Sequence, residues 1–158
     1  MDWETMFKRY VWDTERTPYF TPVSRLTRVQ ADFEVLAFSI FMGVLFSVVA
    51  LGALTDKSMF GRSPPLGLYA FSVTASAIVF NYTKLLIPAI YLAASPLACL
   101  AYVVFYGFDG ARLRVDSLIA SGIVLMLTLY APRIISIARA YESMPAGVAP
   151  PPRRTLFK

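Results

Sequence analysis

The sequence predicts an all-α integral membrane protein, a four-transmembrane-helix bundle with an N-terminal interfacial amphipathic helix and both termini on one side. Three observations carry that prediction. The 158 residues are 57% hydrophobic and only 16% charged, with a mean hydropathy of +0.58, whereas a soluble domain carries about 25% charged residues. The charges are segregated into residues 2–34, 56–62, 109–116 and 133–158, and Lys84 is the single charge between Arg62 and Asp109. The stretches between are apolar over lengths that match a bilayer. The chain divides into an N-terminal docking segment (1–34), a membrane domain (35–141) and a proline-rich tail (142–158).

The N-terminal segment opens "MDWETMFKRY" and has acidic residues before any basic one and no apolar core, so it is not a cleavable secretory signal. Trp3, Met6, Phe7, Tyr10 and Val11 recur at the spacing of one helix face. That face suits a helix lying in the interface, with Trp3 and Trp12 at headgroup depth. "RTPYFTP" breaks it. Thr21 and Pro22 then read as the cap and first residue of a second short helix, Val23 to about Phe33.

Val35–Leu54 is 20 uncharged residues, about 30 Å as a helix, the thickness of the hydrocarbon layer. The next apolar stretch, Leu66–Phe108, has 43 residues, about twice what one crossing needs. Two helices joined by a turn resolve the excess. Pro88 favours a helix start and disfavours helical backbone at Ile87, which places spans at about 66–83 and 88–108. Lys84 then ends the second span, where a cation suits the helix dipole and can snorkel to headgroups. The fourth span, about 117–137, begins with a 14-residue apolar run, Leu118–Ala131, and extends past Pro132 with a kink while Arg133 snorkels.

Lys and Arg counts set orientation. Eleven lie in the two terminal segments and the Lys84 turn, and four in the other two loops. Both termini should therefore face the cytoplasm of a bacterial inner membrane, or the matrix if the membrane is the mitochondrial inner one.

The chain has no His and one Cys, Cys99, which excludes His-ligated haem or metal and any dithiol pair within it. No cofactor or metal site is expected. Asp32 and Glu34 lie two apart and point in different directions on a helix, so they read as solvated flanking charges. The serines have no His to activate them, and no spacing supports a Ser–Lys84 pair. Small residues four apart, as in Ser39-x3-Gly43-x3-Ser47 and Ser72-x3-Ser76, permit close helix approach.

One cluster stands out. Lys84, Arg133, Arg139, Arg25 and Arg28 should form a basic lip at one depth, with anionic phospholipid headgroups as its natural ligand. Nucleic acid is a poor partner, because the basic residues are scattered as membrane orientation requires. The expected function is non-catalytic, an accessory or scaffold subunit of a larger energy-transducing or transport assembly that docks other membrane subunits through its two ends. The alternative is a small transporter or lipid-binding protein with a cleft near Lys84 and Arg133.

Overall fold

The computed structural model describes residues 21–54, 63–106 and 115–147. Four helices make up most of it: α1 (Arg28–Gly52), α2 (Pro64–Thr83), α3 (Leu86–Tyr106) and α4 (Val115–Ala140). No strand occurs among the described residues. The expected interfacial helix with Trp3 and Trp12 lies outside these residues, as does the tail beyond Gly147.

A capping box sets where α1 begins. The Gln30 amide donates to Thr27 Oγ1 at 3.4 Å, and the Thr27 amide donates to Gln30 Oε1 at 3.1 Å. Each end of the pair satisfies a donor that the first turn would leave orphaned. The short helix expected from Val23 to Phe33 is accordingly not formed. Val23–Arg25 make a single 3-10 turn, the chain extends through Leu26 and Thr27, and the first span starts at Arg28 instead of Val35. Leu26 is fully buried, so the break places an apolar side chain in the core.

A hairpin joins α1 to α2, with the Ser63 amide donating to the Ala53 carbonyl at 3.0 Å. Pro64 and Pro65 open α2, where a missing N–H costs nothing. Gly67 faces Ala50 and Ala53 at a distance a single added carbon would fill. Gly43 sits in open space, so the Ser39-x3-Gly43-x3-Ser47 spacing is not a point of close approach at its centre. Its contribution is polar: Ser47 Oγ and the Gly43 carbonyl each lie 3.5 Å from Thr74 Oγ1.

The turn after α2 falls where length requires it. Lys84 adopts left-handed backbone (φ 54°), and its amide closes α2 on the Phe80 carbonyl at 2.9 Å. The next helix starts at Leu86, two residues before the Pro88 start expected from sequence. Pro88 sits in the first turn, where amides have no acceptor within the helix, so its lack of one does not force a later start. The last helix runs unbroken through Pro132 to Ala140.

Antiparallel neighbours pack in chain order, α1 on α2, α2 on α3 and α3 on α4. Met42, Val73, Phe80, Leu92, Ile134 and Ile137 form the centre of one apolar core. The outward faces are equally apolar: Ile40, Val44 and Val48 on α1, Leu68 and Phe71 on α2, Leu97 on α3 and Leu129 on α4 are exposed. A helix apolar on both its inner and outer faces is one suited to a membrane span or to the core of a larger protein. Arg28–Gly52, Pro64–Thr83 and Ser121–Ser143 are each long and apolar enough to cross a membrane, and Leu86–Ala101 is a shorter apolar helix.

Candidate functional site

The alternating helix directions gather the N-terminus of α1, the α2–α3 turn and the C-terminus of α4 at one end. Of the nine charged residues in the described segments, eight lie there: Arg25, Arg28, Asp32, Glu34, Lys84, Arg133, Arg139 and Glu142. Asp116 alone sits at the start of α4, at the opposite end.

Glu34 is the centre of this end and is not solvated. Its side chain is 0% exposed. Arg133 Nε donates to its Oε1 at 2.5 Å and a terminal nitrogen of the same guanidinium donates to Oε2 at 3.0 Å. The Tyr130 hydroxyl also donates to Oε1. Two parallel bonds from a planar fork give both charge compensation and a fixed geometry. Arg133 further donates to the Thr21 carbonyl at 2.8 Å, which holds the segment before α1 against α4. Phe38 covers the Tyr130 ring, with centroids 5.9 Å apart.

Two carboxylates two apart do diverge on α1, as helix geometry demands, but only one of them reaches water. Asp32 is about half exposed and pairs with Lys84 Nζ at 3.5 Å. Tyr141 donates to Asp32 Oδ1 at 2.8 Å. Lys84 also donates to the Asn81 carbonyl at the end of its own helix, and only 12% of its side chain is exposed. Thus Lys84 ties the α2–α3 turn to α1, while Arg133 ties α4 to α1.

The five residues expected to form a basic lip therefore separate into two sets. Lys84 and Arg133 are occupied by carboxylates. Arg25, Arg28 and Arg139 are exposed. Arg28 donates through its side chain to the Glu142 carbonyl at 2.5 Å and through its amide to the Pro145 carbonyl at 2.9 Å. These bonds strap residues 142–147 across the start of α1, with Met144 buried beneath. Gly147 ends the strap with φ +71° and lies against Thr27. The first part of the tail is thus pinned on its own chain.

Sequence reasoning missed the capping pair, the Glu34–Arg133 bond and the strap. The spacing Thr27-x-x-Gln30 is a capping signature that was available. Glu34 and Arg133 each adjoin an apolar run and carry opposite charge, but nothing local pairs two residues 99 positions apart. Compared with protein-family models, with curated proteins and with solved structures, the chain has no match.

Proposed function

We propose that this chain is a four-span, non-catalytic subunit of a larger membrane assembly, an accessory or scaffold component with both ends on the cytoplasmic or matrix side. In this reading α3 supplies the remaining crossing, flanked by α2 and α4. The observation that carries it is the occupancy of Lys84 and Arg133. A small transporter or ligand-binding protein would present these cations to a cleft. Here Asp32 and Glu34 neutralise them, and the bonds they make are inter-helical ties. Ionisable groups inside a membrane segment face a cavity or pair with one another, and these two cations are paired.

The two ends are the docking elements in this proposal. Thr21 is held by Arg133 and Gly147 rests on Thr27, so the described chain begins and finishes at the same end of the bundle. The bacterial inner membrane is the proposed location, with the mitochondrial inner membrane as the alternative. Purification in mild detergent, followed by mass spectrometry of everything that co-elutes, tests the role. Fixed stoichiometry with other polypeptides supports it. A stable, monodisperse species that purifies alone with bound lipid or substrate refutes it.

A further inference from the structure

At the charged end, five basic side chains meet three carboxylates, leaving a surplus of two positive charges among the described residues. The surplus is not spread evenly. Lys84 and Arg133 are paired at the inner level. Arg25, Arg28 and Arg139 have no carboxylate partner among the described residues and are exposed.

Their depth follows from helix rise. Arg28 precedes Glu34 by six residues on α1, and Arg139 follows Arg133 by six residues on the antiparallel α4. At 1.5 Å per residue, both arginines stand about 9 Å outward of the buried pair. The interfacial layer on each side of a bilayer is about 5–8 Å thick. With the Glu34–Arg133 pair at the edge of the hydrocarbon, the outer arginines stand at the outer edge of that layer, within side-chain reach of the headgroups.

They also share one neighbourhood. The Arg28 guanidinium rests on the Glu142 carbonyl, three residues beyond Arg139. The 3-10 turn that carries Arg25 packs on α4. An arginine fork matches phosphate oxygens, and its charge survives at any physiological pH.

We propose that Arg25, Arg28 and Arg139 form the binding surface for an anionic phospholipid headgroup, and that Lys84 and Arg133 take no part in it. The inference rests on the membrane placement in the proposed function and not on the subunit role. Each near-surface arginine strengthens binding about fivefold. Together the three give a preference on the order of a hundredfold for an anionic over a zwitterionic lipid.

The test is native mass spectrometry of the full chain, delipidated in mild detergent and titrated with phosphatidylglycerol or phosphatidylcholine. The triple variant Arg25→Gln, Arg28→Gln, Arg139→Gln should lose the phosphatidylglycerol preference. The charge-conserving triple Arg→Lys and the single Lys84→Gln should keep it. Retention of the preference by the triple Gln variant overturns the site, as does its loss in Lys84→Gln. Alkaline extraction of the membranes before purification checks placement separately. A protein released by that wash refutes the membrane reading, whereas an embedded protein without lipid preference refutes only the headgroup site.

Discussion

Arg133→Met removes the cation from Glu34 and keeps a side chain of similar length. The carboxylate, fully screened from water, loses two charge-assisted bonds at 2.5 and 3.0 Å and retains only the Tyr130 hydroxyl. Breaking a buried pair from one side costs about 3–5 kcal/mol, because an uncompensated charge is left behind. The expected loss is therefore about 4 kcal/mol. The double variant Glu34→Gln, Arg133→Met carries no buried charge and should regain most of the loss at pH 7. Unfolding by SDS titration in mild-detergent micelles, followed by circular dichroism, measures all three. A loss below about 1 kcal/mol at pH 7, or a double variant no more stable than the single one, would refute the reasoning.

Gly147→Ala forces left-handed backbone on a β-carbon that would lie 2.8 Å from both Cβ and Oγ1 of Thr27. Faster hydrogen exchange at the Arg28 amide, which donates to Pro145, is the expected sign of a lifted strap, and unchanged exchange would count against it. At Lys84, with φ 54°, Asn should be tolerated and Val should cost about 1–2 kcal/mol in the same SDS titration, since a β-branched residue fits that backbone poorly. Gly67→Leu should loosen the α1–α2 hairpin by about 1–3 kcal/mol, because its side chain must enter the space held by Ala50 and Ala53. For topology, in a Cys99→Ala background, cysteines at Ser58 and Arg112 should react with an impermeant label from outside, and one at Lys84 should not. The reverse pattern would sink the proposed orientation.

Much of the helical layout was legible along the chain because the signals are local. Unbroken apolar runs announce membrane-length helices. The excess length of Leu66–Phe108 required a turn, and Lys84 occupies it. Proline was a poorer guide. Pro88 lies inside α3, because a proline in a first turn removes no helical bond, whereas α4 continues past Pro132 as expected. The first span starts at Arg28 because Thr27 and Gln30 cap each other's backbone there, while Pro22 only precedes a single 3-10 turn.

By itself the sequence determined that this chain is helical and apolar, with its charges held near the helix ends, since composition and periodicity along one chain decide those properties. Which charges remain free was decided by the tertiary structure. Glu34 reads as an ordinary flanking carboxylate until the antiparallel return of α4 brings Arg133 and Tyr130 against it. Asp32, two residues earlier and on another face of α1, meets Lys84 and Tyr141 instead. Electrostatic pairing acts over a few ångströms of space and is indifferent to distance along the chain. The basic lip that looked uniform in sequence is therefore two inner ties and three outer arginines.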